Sequence, residues 1–283
     1  MMYIMRQASV LLLALCLMTN VFAQNSQLHN FGQILAPQSD AATLNMASDH
    51  ASLALQYESR QQWTAAMGEY QEIIKQVTAE LAEFRESQQN QMLYYVLALA
   101  NTDYARMLLN MGTSQLFVTD YVQHLTDADT ALQKALSLSK GGTVPASQIY
   151  AAMAVVKTFQ GNYSGAHADL VTLHQVNPND REAVVAAEKL TTIPLANQDA
   201  GASLRMYRLS QKPISTGPAA SQPSKPNTLS LPALTENQKM ALLHLGEAVA
   251  SILFPKSLSL AKAGVEVVRA FQTPAQGPAP KGP

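Results

Sequence analysis

Apolar residues recur every three or four positions through most of the chain, the spacing that places them on one face of an α-helix. The clearest unit is 147–180, in which Tyr150 and Ala154 share one face of a first helix. Gly161 ends that helix, a second apolar face follows, and Pro178 stops the second helix. The pattern predicts two short helices folded against each other as a helical hairpin.

The same periodicity predicts a series of helices on both sides of this unit. Ser39 and Asp180 are predicted N-caps, because their side-chain oxygens can accept a hydrogen bond from the first helical turn. The predicted helices are 39–60, 63–87, 89–111, 114–139, the two helices of 147–180, and 181–190. The sequence therefore predicts an all-α array over residues 39–193, with about seven helices stacked as three hairpins and a terminal helix.

The composition changes after the array. Residues 194–234 are rich in proline and serine, which predicts a flexible linker. Thr235 and Gln238 then form a capping box that opens a pair of C-terminal helices reaching residue 272. These helices carry more apolar residues than two isolated helices could bury, so they are expected to dock on the array, on a partner or on a membrane surface. A small separate hairpin is the remaining alternative. The tail 273–283 is predicted to be disordered.

The N-terminus is predicted to direct export. Residues 1–23 have the pattern of a secretory signal, with Arg6 before an apolar run at 10–17, and we expect cleavage after residue 23. The run is shorter than the roughly 20 residues of a spanning helix. Cys16 is the only cysteine and lies in that run, so the mature chain has no disulfide and no thiolate metal site. The predicted location is periplasmic or secreted, and residues 24–38 are a predicted disordered lead-in.

Composition argues against several classes of function. Hydrophobic residues make up 47% of the chain, enough for a core, whereas charged residues are only 14% and the net charge is -1. This charge gives no electrostatic basis for binding nucleic acid or an anionic membrane. The chain has no glycine-rich phosphate loop and no Gly-x-Ser-x-Gly or His-Glu-x2-His motif. We therefore expect no enzyme activity, no cofactor and no metal site.

The unit 147–180 resembles a tetratricopeptide repeat, whose signature is an aromatic residue, a Leu-Gly pair, a Tyr, an Ala-x3-Phe element and a closing proline. The matching residues are Tyr150, Met153 with Ala154, Ala166 with Leu170, and Pro178. Lys157 departs from the pattern at the Tyr position. A second copy of the same intervals is found earlier, at Leu53, Ala54, Tyr57, Ala66 and Tyr70. The helices between the two copies match only through Ala128 and Leu132.

In tetratricopeptide proteins the first helix of each hairpin lines a concave groove that takes extended peptides or partner helices. The groove positions that the resemblance implies here are Ala51, Leu55, Glu58, Gln148, Ala151, Val155 and Thr158. These residues are mostly small and apolar, and they lack the Lys, Arg and Asn side chains that clamp a terminal carboxylate.

The resemblance implies a function that is not enzymatic. We expect an exported scaffold or adaptor whose groove binds an apolar peptide or helix of a protein partner, in the assembly or secretion of envelope components. A structural envelope protein and an accessory subunit of an enzyme complex are the alternatives. Self-association of the chain is also open at this point.

Overall fold

The computed structural model describes residues 38–83, 90–111, 115–140, 142–211, 234–255 and 259–272. The chain divides into a unit of residues 1–42 and a unit of residues 43–283. The described residues form ten α-helices and no strand. The helices are α1 (Gln38–Ser59), α2 (Trp63–Glu83), α3 (Asn90–Met111), α4 (Gln115–Ser137), α5 (Ala146–Phe159), α6 (Tyr163–Val176), α7 (Arg181–Lys189), α8 (Leu195–Gln211), α9 (Glu236–Leu253) and α10 (Leu260–Gln272). The predicted all-α class is confirmed.

The hairpin predicted from 147–180 is present as helices α5 and α6. Gly161 has a φ of 67°, in the left-handed region, and reverses the chain after α5. The side chain of Asn162 then caps α6 by accepting a hydrogen bond from the Gly165 amide at 3.2 Å. Asp180 caps α7 in the same way, accepting from the Ala183 amide at 3.0 Å. Local sequence signals therefore set the boundaries of these helices.

Consecutive helices pack against each other from α2 to α7. Helices α1 and α2 are joined by the imidazole of His50, whose Nδ1 lies 2.6 Å from Glu69 Oε2. Helix α3 is at the centre, since it packs on α2, α4, α5, α9 and α10 and most of its residues are buried. A helix that is apolar nearly all round is stable only in such a position. The core of the unit is built around α3.

The sequence predicted about seven helices in the array and two at the C-terminus. The described residues contain one helix more than that. The additional helix among the described residues is α8, which lies in the segment 194–234 that was predicted to be a linker. Ala200, Leu204 and Tyr207 are buried on one face of α8 at the i, i+4, i+7 spacing. Prolines dominate the composition only after residue 212, and the average over the whole segment obscured this short apolar face.

Helix α8 is held close to the turn between α5 and α6. A Cβ added at Gly201 would lie 2.6 Å from the carbonyl oxygen of Gly161, so the two backbones meet directly at this point. The Asn197 side chain donates a hydrogen bond to the Ala241 carbonyl of α9 at 2.8 Å. Helix α8 therefore connects the array to the C-terminal helices.

The C-terminal helices pack on the array, which is one of the placements that the sequence left open. Helix α9 contacts α3, α5, α7 and α8, and helix α10 contacts α3. The predicted capping box is confirmed, because Thr235 Oγ1 accepts from the Gln238 amide at 3.2 Å and Gln238 Oε1 accepts from the Thr235 amide at 2.9 Å. Most of the described apolar side chains of the pair are therefore buried against this chain itself, although Met240 is 42% exposed.

Several sequence predictions concern other parts of the chain. The signal 1–23, nearly all of the lead-in 24–38, most of the linker after residue 211 and the tail 273–283 lie outside the described residues. Of the ten helices that are described, none has the length and apolar character needed to cross a membrane.

Candidate functional site

The groove positions predicted on helix α5 are mostly interior. Val155 and Thr158 are 0% exposed and Ala151 is 5% exposed, whereas Gln148 keeps part of its surface. The Thr158 hydroxyl donates to the Ala154 carbonyl at 2.7 Å and so needs no external partner. While the chain has this fold, a binding partner cannot reach the three buried residues, and their predicted role would require the packing around α5 to open.

Two glycines let the C-terminal helices approach the array closely. A Cβ added at Gly246 of α9 would overlap the ring of Phe159 at the end of α5. A Cβ added at Gly264 of α10 would lie 2.6 Å from Leu99 Cδ1 on α3. Because real Cβ atoms do not come this near to a neighbour, a Cβ at either position would require the Phe159 ring or the Leu99 methyl group to shift. The C-terminal helices are thus fitted to α5 and α3.

The groove positions predicted on helix α1 have a different environment. Ala51 is 0% exposed and belongs to the core. Leu55 and Glu58 are only partly buried, and both line an open cavity of about 410 Å³. This volume lies within the ~300–1,000 Å³ range of typical ligand pockets. Of the seven predicted positions, these two are the ones that the structure brings together at an accessible site.

The cavity lies where helices α1, α3, α9 and α10 meet, beside the first residue of α2. Its walls combine apolar side chains with three charged ones. The lining residues are Leu55, Glu58, Ser59, Trp63, Arg106, Asn110, Glu247, Ala250, Ser251 and Leu260. Because α9 and α10 form part of the wall, the cavity exists only when the C-terminal helices are docked.

A single guanidinium organises the charges at the cavity. Arg106 Nη2 lies 2.9 Å from the Glu58 carboxylate, and both Nη2 and Nε donate to Asp103 Oδ1 at 3.2 Å. Arg106 Nη1 is 3.6 Å from Glu247 Oε1, a distance for an ion pair without a hydrogen bond. Three carboxylates from helices α1, α3 and α9 therefore share one arginine, which is itself only 8% exposed.

Burial and charge act in opposite directions on these groups. Burial raises the pKa of Glu58, although Arg106 and a 2.6 Å hydrogen bond from the Tyr70 hydroxyl favour its ionised form. Burial also raises the pKa of Tyr70, and the negative charges of Asp103 and Glu58 raise it further. Burial alone would lower the pKa of Arg106, but Asp103 and Glu58 raise it above its ordinary value. Arg106 therefore stays charged in the folded protein.

The second oxygen of Asp103 holds helix α10. Asp103 Oδ2 accepts hydrogen bonds from the Ser259 hydroxyl and from the Ala261 amide, both at 2.8 Å. The first amides of a helix have no partner within the helix, and the helix dipole favours a negative charge at this end. Asp103 is 0% exposed and thus supplies from α3 a buried cap for the N-terminus of α10.

Sequence reasoning did not identify Asp103, Arg106 or Glu247 as site residues. A signal for the first two was present, because they are the only charged residues in the 22 positions of helix α3 and they are three residues apart. Opposite charges at this spacing in an otherwise uncharged, largely apolar helix indicate a buried ion pair. Nothing comparable marks Glu247, since its partner belongs to a distant helix.

Metal binding is not indicated at this site. Among the described residues there is no group of three or more His, Cys, Asp or Glu side chains placed to hold a metal ion. At the cavity itself, the carboxylates of Glu58 and Asp103 face the Arg106 guanidinium. The arrangement is suited to recognising a group by charge and by apolar contact.

No protein-family model, curated protein or solved structure matches this chain. The tetratricopeptide resemblance therefore rests on the residues of the chain and on the order of its helices, and it stays a prediction. The role of the cavity has to be argued from its own contacts.

A half-buried histidine on α4, packed against α3, provides a basis for pH-dependent stability. The ring of His124 lies against that of Tyr104, with centroids 4.0 Å apart, and its Nδ1 is 2.7 Å from Asn101 Oδ1. Burial lowers the pKa of His124 below its ordinary value, and the carboxylates of Asp120 and Asp127 offset only part of this effect. Protonation of His124 is therefore less favourable in the folded chain than in the unfolded chain.

We expect the stability that neutral His124 contributes to be fully present above the pKa of histidine in an unfolded chain, about 6.5. That stability should be lost as the pH falls through the lower pKa that His124 has in the folded chain. The wild type should therefore lose more unfolding free energy between pH 7.5 and pH 5 than a His124→Gln variant. Urea denaturation at both pH values measures the difference, and His174→Gln, at an exposed position, is the control. Equal losses in the wild type and His124→Gln would contradict the prediction.

Proposed function

We propose that this chain is an exported scaffold of the tetratricopeptide type that binds a segment of a protein partner, in the assembly or secretion of envelope components. The proposal is supported by the succession of helices, in which residues 60–62 join α1 to α2 and residues 160–162 join α5 to α6. Such short connections make consecutive helices antiparallel neighbours. The signal-like pattern of residues 1–23 supports export.

The observation that carries the proposal is the cavity at Leu55 and Glu58. It is open, it contains two positions that the repeat resemblance implies for partner binding, and it combines apolar and charged walls. Three of the four groove positions on α5 are buried, by contrast, and helix α9 packs on α5. The proposed binding site is therefore the end of the predicted groove nearest to α1, with helices α9 and α10 contributing to its wall.

A substitution in the cavity should remove the partner without unfolding the chain. We expect Leu55→Asp to place a carboxylate on an apolar part of the wall, beside Glu58, and to abolish capture of the partner. Leu53→Asp is the matched control, because Leu53 lies on the same helix, is 41% exposed and does not line the cavity. The measurement is crosslinking and affinity capture from the native envelope fraction, with circular dichroism to verify that both variants are folded.

The outcomes separate the candidate functions. A partner that is captured by the wild type and by Leu53→Asp but not by Leu55→Asp supports the scaffold. A partner that both folded variants retain would exclude the cavity as its binding site. Capture of nothing but further copies of this chain would instead support the structural role that the sequence left open.

A further inference from the structure

The charge of the cavity indicates what kind of group it accepts. Resting on the proposed scaffold function, we infer that the cavity receives a lysine or arginine side chain that projects from an apolar segment of the protein partner. Three features carry this inference: an excess of carboxylates over cations among the described residues, an arginine that already faces three carboxylates, and an apolar wall against which an alkyl stem can pack.

Among the described residues, the carboxylates outnumber the cations around the cavity. Glu58 and Glu247 line it directly and Asp103 lies behind them, and Arg106 is the one cation that is placed against all three. Glu247 is the least satisfied, because its closest described cation is Arg106 at 3.6 Å and its side chain is 43% exposed. A second cation entering the cavity would find a carboxylate that is accessible and only weakly paired.

An anion would not find an equivalent partner. The Nε and Nη2 atoms of Arg106 already donate to Asp103 and Glu58, and Nη1 faces Glu247. A carboxylate from a partner could bind only at Nη1, which makes no hydrogen bond to a described residue, and there it would lie beside Glu247 and close to the other two carboxylates, which repel it. The cavity therefore selects against acidic groups and against a peptide C-terminus.

The remaining walls fit the stem of a basic side chain. Leu55, Trp63, Ala250 and Leu260 provide apolar surface against which the methylene groups of lysine or arginine can pack. The indole of Trp63 is also the aromatic group that attracts cations most strongly through its face. Neighbouring apolar residues of the partner segment would extend the same contact.

The burial of Glu58 is consistent with this occupant. Its pKa is raised because its carboxylate is removed from water. A cation in the cavity would stabilise the ionised form of Glu58 and offset part of that cost. The cavity thus has a charge arrangement that a basic ligand would neutralise further.

Trp63 gives a direct way to test the inference, because it is the only tryptophan of the chain and it lies in the cavity wall. The probes are three capped peptides of alternating leucine and serine that differ only at the central residue, which is lysine, norleucine or glutamate. Each peptide is titrated into the mature full-length protein at low salt and the emission of Trp63 is recorded. We expect saturable binding of the lysine peptide, at least about tenfold tighter than that of the norleucine peptide, and no binding of the glutamate peptide.

Two variants assign the effect to the cavity. Glu247→Gln removes the accessible carboxylate and should weaken binding of the lysine peptide about tenfold. Binding of the norleucine peptide should be unaffected. Glu266→Gln is the matched control, since Glu266 is an exposed carboxylate of α10 that does not line the cavity, and it should bind like the wild type. Equal binding of the lysine and norleucine peptides, preference for glutamate, no response of Trp63, or unchanged affinity in Glu247→Gln would each overturn the inference.

Failure of this inference can be told apart from failure of the scaffold function. A partner whose capture depends on Leu55 and is unchanged in Glu247→Gln would support the scaffold function. It would contradict the inference that a basic side chain occupies the cavity. A lysine-selective response of Trp63 without any Leu55-dependent partner would support the chemistry of the cavity and count against the scaffold.

Discussion

An Asp103→Ala variant is expected to lose about 3–5 kcal/mol of unfolding free energy, the cost of removing one member of a buried ion pair. The loss is large because Asp103 accepts hydrogen bonds from three groups at once. One oxygen accepts from Arg106 and the other accepts from Ser259 and Ala261 at the N-terminus of α10. Without Asp103, the amide of Ala261 loses its buried acceptor and Arg106 loses one of its counter-charges.

Two measurements check this prediction. Chemical denaturation gives the loss of stability, and Asp49→Ala, which removes a carboxylate from an exposed position of α1, is the control and should change stability by less than about 0.5 kcal/mol. Amide hydrogen exchange should show faster opening of α10 than of α5 in Asp103→Ala, because the substitution removes the cap of α10. A loss no larger than that of the control would refute the assigned role of Asp103.

The same substitution at two glycines is expected to have opposite effects. Gly246→Ala should destabilise the protein by about 1–3 kcal/mol, because its new methyl group overlaps the ring of Phe159 and forces α9 away from α5. Gly68→Ala should stabilise it by about 0.5–1 kcal/mol, because Gly68 lies inside helix α2 with nothing within 4 Å of an added Cβ. Thermal or urea unfolding of the two variants measures both effects.

Pairing the two substitutions removes helix propensity as an explanation. Both replace glycine by alanine within a helix, and on propensity alone both should be stabilising. A stabilising Gly246→Ala would mean that α9 does not sit tightly on Phe159 in solution. A destabilising Gly68→Ala together with the expected loss at Gly246 would show an unrecognised contact on the surface of α2, and it would leave the docking of α9 intact.

The elements that could be predicted are those whose signals lie within a few residues of each other. The α5–α6 hairpin follows from a 3.6-residue periodicity broken at Gly161, and the start of α9 follows from the capping box of Thr235 and Gln238. Helix α8 was missed because its apolar face is short and the prolines that follow dominate the composition. Local signals therefore identified most helices but not all.

The candidate site could be predicted only in part. Leu55 and Glu58 were expected at a binding surface from the repeat resemblance, and both line the cavity. Ala51, Ala151, Val155 and Thr158 were expected there as well, yet they are buried. The resemblance gives the helix face on which a residue lies, but it does not say whether another part of the chain covers that face.

The sequence by itself determined that this protein is all-α and, for most helices, where they begin and end, because helix formation depends on neighbours three or four positions away. Only the tertiary structure decided that α9 and α10 lie against the array, that Arg106 faces three carboxylates, and that a cavity remains beside Leu55. Asp103 and Ser259 are 156 positions apart in the chain and hydrogen-bonded in the fold. No periodicity encodes such a contact, since it depends on how whole helix faces fit together.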